Sequence, residues 1–339
     1  MDGTPTARRR TVLLAATTVV AAAALVAVPT FVDDVFWLGL GITVLLWASL
    51  ATAWNISAGL AGGLSLGHAA YVGVGAYTTT LLFLRLGISP WLGLLAGAAL
   101  AGVLGAAIGA ITFRLRGPFF VLASLAFGVV VHIVAVNWRP LTRGAAGLVL
   151  PFRGGARNML FPGIEPYWYI GLGLLALTLA VTLAIRRSRL GYYLVALRED
   201  EDAARALGVR VVRSKVTASA ISAALTACGG AFYATYVQYI DPSSTTQFEI
   251  SVQIALVAIV GGLGTTLGPA LGAVVVVPIA EVLRAWLGGG PSLMVYGLAL
   301  IVIVLAAPNG VLGLLQGLAA RLRPGSAGPG ATPRGGGHA

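Results

Sequence analysis

Long apolar runs dominate the chain, and short polar or glycine-rich stretches separate them. The runs predict ten helical spans, at 11–28, 35–54, 69–84, 91–112, 118–137, 167–185, 216–238, 250–262, 270–287 and 291–307. A helix needs about 20 apolar residues to cross the hydrocarbon core of a bilayer. The pattern therefore predicts an all-α polytopic membrane protein with about ten transmembrane helices.

Two glycine-rich interruptions break this pattern, one before the third span and one between the eighth and the ninth. Their backbone is too polar to face lipid, because peptide groups freed from a helix need partners inside the protein or in water. Paired interruptions in the two halves of a transporter point to its substrate passage, so we interpret both as broken or re-entrant segments lining that passage. The residues assigned to the passage are Asn55, Gly62, Gly63, Ser65, Gly67, His68, Gly261, Gly262 and Gly264. The spacing of Gly63 and Gly67 is also compatible with a tight loop and a closely packed helix.

Residues 186–215 form a charged stretch between the sixth and seventh spans. They contain eight of the 22 basic residues and four of the 11 acidic ones, although charged residues are only 10% of the chain. The pattern predicts a short amphipathic helix outside the bilayer, with an ordinary loop of solvated charges as the alternative. The residues behind this prediction are Leu194, Leu197, Ala204 and Leu207 near helical spacing, the i,i+4 pairs Arg198/Asp202 and Glu201/Arg205, and Gly208 at the expected helix end.

The basic residues also predict the orientation of the chain. With both termini in the cytoplasm, sixteen of the 22 Lys and Arg residues lie on the cytoplasmic side, as the positive-inside rule requires. This topology gives a cytoplasmic N-terminus (1–10), a transmembrane domain (11–315), a cytoplasmic loop (186–215), an extracytoplasmic loop (138–166) and a cytoplasmic tail (316–339) expected to be disordered. A cleaved signal peptide is the alternative for the first run, but no clear cleavage site precedes Pro29.

The residue content excludes several kinds of chemistry. Cys228 is the single cysteine, so a disulfide or a cysteine-based metal site cannot form within one chain. Lys215 is the single lysine and stands outside any Walker A pattern, so any ATP must be bound by another chain. We expect no metal, no cofactor of the chain's own and no nucleic-acid partner. Glu281 and Arg284, three residues apart in the ninth span, are interpreted as a structural ion pair near the interface rather than a functional one.

An intramembrane serine hydrolase is a further possibility. Gly63-Leu64-Ser65-Leu66-Gly67 matches the G-x-S-x-G nucleophile pattern, and His68 and His132 are available as bases. That pattern requires a strand, a turn and a helix, which this apolar region does not offer. A membrane peptidase would need His132 to reach Ser65. We favour a transport protein without catalytic residues.

Four motifs in order resemble the membrane permease subunits of branched-chain amino acid ABC importers, of the LivM type. They are GLAGGLSLGHAAYVGVGAY (59–77), SRLGYYLVALREDEDAARALGV (188–209), GGLGTTLGPALGA (261–273) and PNGVLGLL (308–315). The resemblance runs from about residue 40 to residue 315 and implies an ABC importer permease fold. It also implies a bacterial inner-membrane protein that forms the passage for aliphatic amino acids together with a second permease subunit.

The resemblance further implies a set of partners. They are a LivH-like sister permease, two ATP-binding cassette subunits that carry ATP and Mg, an extracytoplasmic amino-acid-binding protein, and membrane lipid. In the family, the segment after SRLG contains the coupling helix that docks on the ATPase, and this role carries over to Arg198, Glu199, Asp200, Glu201, Ala203, Ala204 and Gly208. A permease for urea, short amides or other amino acids remains an alternative, and an ATP-independent channel or carrier is a more distant one.

Overall fold

A computed structural model describes residues 24–32, 34–114, 118–288, 297–298, 301, 305 and 310–314. Long helices dominate these residues. The helices are α1 (Val35–Asn55), α2 (His68–Leu86), α3 (Pro90–Thr112), α4 (Pro118–Asn137), α5 (Arg139–Thr142), α6 (Glu165–Arg187), α7 (Arg189–Glu199), α8 (Glu201–Ala206), α9 (Val211–Val237), α10 (Pro242–Thr245), α11 (Phe248–Gly262) and α12 (Gly268–Leu287). Strands β1 (Leu148–Val149) and β2 (Tyr239–Ile240) form a short antiparallel ribbon.

Eight helical stretches in the described part of the chain are long and apolar enough to cross a membrane. They correspond to the second through ninth predicted spans, so the all-α polytopic class is confirmed. Most of the first predicted span and most of the tenth lie outside the described residues. The exceptions are the helical residues 24–31, which cover the end of the first span and the residues after it, and residues 297, 298, 301 and 305 of the tenth. A total of ten therefore stays a prediction. The predicted N-terminal segment and tail also lie outside the described residues.

Close packing of small residues joins α9 to α2 and α3. A Cβ atom on Gly230 of α9 would lie 2.0 Å from the carbonyl oxygen of Val72 in α2, and one on Gly75 would lie 2.0 Å from that of Ala227. Small residues of this kind let membrane helices approach closely enough for dispersion contacts between their backbones. The glycines in these spans therefore determine how closely the helices pack.

Several hydroxyl side chains inside the bundle are satisfied within their own helices. Thr178 and Thr182 of α6 are fully buried, and their hydroxyl groups donate to the carbonyl oxygens four residues earlier, at 2.8 Å each. Ser49 and Thr52 of α1 do the same. This backbone bonding allows polar residues in an apolar helix without an unpaired donor.

The loop at 138–166 is held at one end of the bundle. Its strand β1 pairs with β2, with Leu148 opposite Ile240. Trp91 at the start of α3 donates from Nε1 to the carbonyl oxygen of Ala156 at 2.9 Å, and Arg85 at the end of α2 donates to that of Pro140 at 2.6 Å. The loop is thus fixed against the ends of two spans.

The polar segment at 186–215 forms two short helices where the sequence pattern predicted one. Asp200 has an extended backbone (φ −152°, ψ 110°), and its carboxylate accepts hydrogen bonds from the N–H groups of Asp202 and Ala203 at 3.0 and 2.9 Å. Asp200 therefore ends α7 and caps α8, because an aspartate in this conformation satisfies the free N–H groups of a new helix. The prediction that Leu207 lies on the buried apolar face of this segment is also wrong, because Leu207 is 86% exposed. Leu194, which was predicted on the same face, is fully buried.

Candidate functional site

The first glycine-rich interruption breaks the path between α1 and α2. Helix α1 continues as a π-helical turn (Ile56–Leu60), and residues 61–67 are not helical. Trp54 donates from Nε1 to the carbonyl oxygen of Ser65 at 2.7 Å, so the chain turns back alongside the end of α1. Ser65 and Gly67 are buried within protein, where irregular backbone is tolerated at membrane depth. The predicted break before the third span is confirmed.

The second interruption separates α11 from α12. Gly264 has φ +75°, a conformation that favours glycine. The hydroxyl group of Thr265 donates to the carbonyl oxygen of Gly262 at 2.7 Å and accepts from the N–H of Gly268 at 3.0 Å. These bonds close the turn and satisfy the backbone groups that the helix ends leave free.

Asn55 joins the two interruptions, which the sequence pattern predicted only as separate features. Its amide nitrogen donates to the carbonyl oxygen of Thr265, and its amide oxygen accepts from the N–H of Gly264, both at 2.8 Å. Asn55 is fully buried. A Cβ atom on Gly59, one helical turn further along, would lie 1.9 Å from the Asn55 amide oxygen and 2.5 Å from the Gly264 nitrogen. Only glycine fits there without displacing this contact.

Arg198 connects the polar segment to the same place. Its Nη1 donates to the carbonyl oxygen of Gly59 at 3.0 Å, and a Cβ atom on Gly264 would lie 2.3 Å from that nitrogen. We call Asn55, Gly59, Arg198 and Gly264 the junction. Gly310 of the C-terminal motif lies against the start of the second interruption, because a Cβ atom on Gly310 would lie 2.6 Å from the Cα atom of Gly262.

The inward position of Arg198 was missed at the sequence level, where it was grouped with residues facing an ATPase. Arg198 follows Leu194 by four residues, so the two share one face of α7, and Leu194 is fully buried. That spacing was the signal that Arg198 points inward. A second arginine makes a similar contact, since Arg186 Nη1 donates to the hydroxyl group of Thr266 at 3.0 Å.

The other residues assigned to coupling fall into three groups. Glu199 forms an ion pair with Arg198 at 2.7 Å, and Glu201 pairs with Arg205 at 3.0 Å and with Lys215 at 2.5 Å. Ala204 is buried and packs with Leu197 and Val211. The exposed members of the set, besides Arg198, are Glu199, Asp200, Ala203 and Gly208, and the last has φ +87° just after α8 ends. The surface available for docking is therefore smaller than the assigned set.

His68 lies in a continuous hydrogen-bonded chain within the bundle. Its Nε2 lies 2.8 Å from Ser222 Oγ, and that hydroxyl group donates to the carbonyl oxygen of Ala53 at 2.7 Å. The serine hydroxyl must then accept from Nε2–H, which leaves Nδ1 to accept from Ser65 Oγ at 3.0 Å. His68 is 1% exposed and Ser65 is 6% exposed, so the chain is closed to solvent.

The hydrolase alternative required His132 to reach Ser65. His132 Nδ1 lies 2.8 Å from the hydroxyl group of Thr246, and the hydroxyl group of Ser65 is engaged by His68. The required pair is therefore not formed in the described part of the chain. Ser65 and His68 belong to the packed interior, where they position the start of α2 against α9.

A cavity of about 280 Å³ is lined by residues of α1, α2, α9, α10, α11 and α12. Arg284 lines it together with Glu281, and Arg284 Nη1 lies 3.1 and 3.3 Å from the two carboxylate oxygens of Glu281. None of the nine residues assigned to the substrate passage lines this cavity. Gly67 and Gly261 instead lie against backbone atoms of Ser124 and Gly268, and the assignment of the nine residues to the passage stays a prediction.

Comparison with known proteins places these features in a family. The family described as the permease component of branched-chain amino acid transport systems matches residues 35–307. The high-affinity branched-chain amino acid transport system permease protein LivM of Escherichia coli K12 is 29% identical over 295 residues, 80% of this chain and 69% of the relative.

Two further relatives extend the comparison. LivH of Salmonella typhimurium, a permease protein with the same system description, is 25% identical over 283 residues, 79% of this chain and 91% of the relative. The autoinducer 2 import system permease protein LsrC of Klebsiella pneumoniae is 32% identical over 127 residues, 36% of each chain. No solved structure matches the chain.

Proposed function

The chain belongs to the branched-chain amino acid transport permease family, and we propose that it is one of two permease subunits of an ABC importer for aliphatic amino acids. Its family is one of transport permeases and not of enzymes. One observation carries the mechanism: Arg198 of the polar segment bonds directly to Gly59 in the first glycine-rich interruption and touches Gly264 in the second.

Partner subunits supply what this chain lacks. LivM and LivH are both named as permease proteins of a high-affinity branched-chain amino acid transport system, which supports pairing with a sister permease. ATP and Mg²⁺ belong to two separate ATP-binding subunits, since Lys215, the only lysine, is outside any phosphate-binding loop. An extracytoplasmic binding protein delivers the amino acid.

In this proposal, the conformational change of the ATPase acts on the polar segment. Docking on the exposed part of α7 and α8 moves these helices, and the Arg198 contact transfers the movement to the backbone of Gly59. Asn55 then carries it to Gly264, so both interruptions move together. The ATPase must favour one of two bundle arrangements by a few kcal/mol for such a transition to be effective.

The orientation of the chain in the bacterial inner membrane is part of the proposal. The polar segment lies at the end of the bundle where both interruptions meet, and the β1–β2 ribbon lies at the other. With the polar segment in the cytoplasm, both termini are cytoplasmic and sixteen of the 22 basic residues are on that side.

Charge reversal on the docking surface tests the proposal. Glu199 and Asp202 are exposed, with side chains 68% and 71% accessible. We expect the double variant Glu199→Lys, Asp202→Lys to lose at least about 90% of ATP-dependent leucine uptake by the reconstituted importer, because opposite charges on the ATPase no longer match. Uptake of radiolabelled leucine into proteoliposomes with enclosed ATP measures this.

Glu165→Lys serves as the matched control, because it reverses an exposed acidic residue at the other end of the bundle. It should leave uptake unchanged, and all variants should reach the membrane in equal amounts. Normal uptake by the double variant would contradict the coupling role. Leucine accumulation by the permease pair without ATPases would contradict the proposed class.

A further inference from the structure

The cavity bounded by Glu281 and Arg284 combines one acidic and one basic side chain with an aliphatic wall. We propose that this cavity is a binding site for a zwitterionic α-amino acid with an aliphatic side chain, with Arg284 binding its carboxylate and Glu281 its ammonium group. The proposal rests on the transport function proposed above and names the place where the permease itself holds its substrate.

The ion pair between Glu281 and Arg284 leaves hydrogen-bonding positions of both side chains unused. Within the described residues, a single guanidinium nitrogen of Arg284, Nη1, holds both carboxylate oxygens of Glu281. A guanidinium group has five donors in a planar fork that suits a second carboxylate, and a carboxylate has about four acceptor positions. An amino acid carries its ammonium and carboxylate groups on one carbon atom, so it can lie antiparallel to the Glu281–Arg284 pair.

The position of the pair also favours a role in binding. Both residues lie in α12, a helix apolar enough to span the membrane, and charged residues in such helices usually face a water-filled cavity or a substrate path. Here both face the same cavity, and the side chains remain 31% and 60% accessible. A purely structural clasp has no need of a cavity beside it.

The wall beyond the ion pair is apolar and branched. Leu46 and Leu50 of α1, Val72 of α2 and Ile250 of α11 line it. The volume of about 280 Å³ lies near the lower limit for small-molecule sites and suits one small solute. An aliphatic side chain gains free energy in proportion to the apolar area that it buries there.

The charges of the site predict its selectivity. The ion pair has no net charge, so a zwitterion leaves the cavity neutral, whereas lysine or glutamate brings an uncompensated charge beside the aliphatic wall. Gln253 adds one neutral amide to the lining, for which the described residues provide no hydrogen-bond partner. We therefore expect leucine, isoleucine and valine to bind better than charged amino acids of similar size.

Wild-type protein tests the proposal without any substitution. The purified complex of both permease subunits and the ATPases, without the binding protein, is titrated with L-leucine, leucinamide and 4-methylpentanoate by competition against radiolabelled leucine. Leucinamide lacks the carboxylate and 4-methylpentanoate lacks the ammonium group. We expect both analogues to bind at least about tenfold more weakly than leucine, the loss of one charge-assisted pair. Equal binding of the three compounds would overturn the proposal.

A charge swap separates a binding site from a structural clasp. We expect Glu281→Ala and Arg284→Ala each to weaken leucine binding about tenfold or more. The double variant Glu281→Arg, Arg284→Glu restores an ion pair, so a clasp would recover fully. A binding site would not recover, because the reversed pair turns the leucine side chain away from the wall formed by Leu46 and Leu50. Val274→Ala, an exposed residue of α12 outside the cavity, is the control and should bind normally.

The outcomes distinguish this site from the proposed function. Full recovery of binding in the swapped variant, or wild-type binding in both alanine variants, would overturn the site while ATP-dependent leucine uptake by the wild-type importer still holds. Absence of that uptake in the wild-type importer would refute the proposed function first. Gel filtration of each variant shows whether its complex is intact, and the analogue series on wild-type protein decides the matter if a variant does not assemble.

Discussion

The two ends of the bundle use polar groups in opposite ways. At the junction, Asn55 is fully buried and both polar atoms of its side chain are bonded to backbone, with Gly59 packed against it. At the cavity, Arg284 and Glu281 are partly accessible and bonded mainly to each other. Helix α1 contributes to both places, with Asn55 at the junction and Leu46 and Leu50 at the cavity.

This difference separates two mechanical tasks. A part that transmits displacement needs short bonds of fixed geometry and no free volume, because slack would absorb the movement. A part that holds and releases a solute needs space and donors that are not already satisfied. Glycine at the junction provides close backbone contact. In the functions proposed above, the glycine-rich residues act in coupling and the charged pair at the cavity binds the substrate.

The largest effect is expected from a single methyl group at the junction. Gly59→Ala places a Cβ atom 1.9 Å from the Asn55 amide oxygen and 2.5 Å from the Gly264 nitrogen. Overpacking and the loss of buried hydrogen bonds together should lower the free energy of unfolding by about 3 kcal/mol. Thermal unfolding of the purified complex and leucine uptake both measure the change, and uptake should fall below detection.

Gly173→Ala is the matched control, because a Cβ atom there meets no neighbour within 4 Å. It should leave uptake unchanged and stabilise α6 slightly, by roughly 0.5–1 kcal/mol. The double variant Asn55→Ala, Gly59→Ala should be less unstable than the sum of the two single variants, because both disturb one contact. Strict additivity would show that Asn55 and Gly59 do not act together, and the junction would not be a unit.

The sequence pattern was sufficient for the spans and for both breaks. Runs of apolar residues separated by glycine-rich segments reflect local requirements, namely the length of a span and the conformations that only glycine adopts easily. The eight spans in the described residues follow this pattern closely. The sequence pattern did not predict the β1–β2 ribbon, because each strand has only two residues and the two strands lie far apart in the chain.

The junction itself could not be predicted from the pattern. Asn55 and Gly264 are 209 residues apart, and no local periodicity encodes their contact. The split of the polar segment was accessible in principle, because Asp200 has the side chain of a helix cap, but the continuous apolar spacing outweighed that signal. The cavity was missed for a different reason: its lining comes from several helices, and only Glu281 and Arg284 stand out in sequence.

An intermediate effect is expected from loss of the Arg198 contact. Arg198→Ala removes the hydrogen bond to the Gly59 carbonyl oxygen, so movement of α7 is no longer transferred to the first interruption. A hydrogen bond from a charged donor contributes about 1.5 kcal/mol or more, which corresponds to about tenfold in coupling. We expect about tenfold less leucine transported per ATP hydrolysed, with ATP hydrolysis retained.

Arg189→Ala, an exposed arginine at the start of the same helix, is the control and should transport normally. Arg198→Lys should be intermediate, because lysine keeps the charge but lacks the planar fork that reaches both Gly59 and Glu199. A normal ratio of leucine transported to ATP hydrolysed in Arg198→Ala would mean that the junction is only a packing contact. The proposed role of the junction in coupling would then be refuted.

The smallest effect is expected at the rim of the cavity, where Asp241 caps the short helix α10 that carries the cavity residue Ser244. Burial raises the pKa of Asp241, but hydrogen bonds from the hydroxyl and backbone N–H groups of Ser243 and Ser244 outweigh it and hold the pKa below its ordinary value of 3.8. Because the pKa is lower in the folded state, the carboxylate stabilises the fold above the ordinary pKa, and this contribution is lost as the pH falls through the lowered pKa.

Asp241→Asn should therefore cost less than about 1 kcal/mol near neutral pH, since asparagine also caps helices, and the difference from wild type should vanish in acid. Thermal unfolding at a series of pH values down to about 3 measures this, and a difference that grows as the pH falls would show that the Asp241 carboxylate is not stabilised by the Ser243 and Ser244 hydrogen bonds.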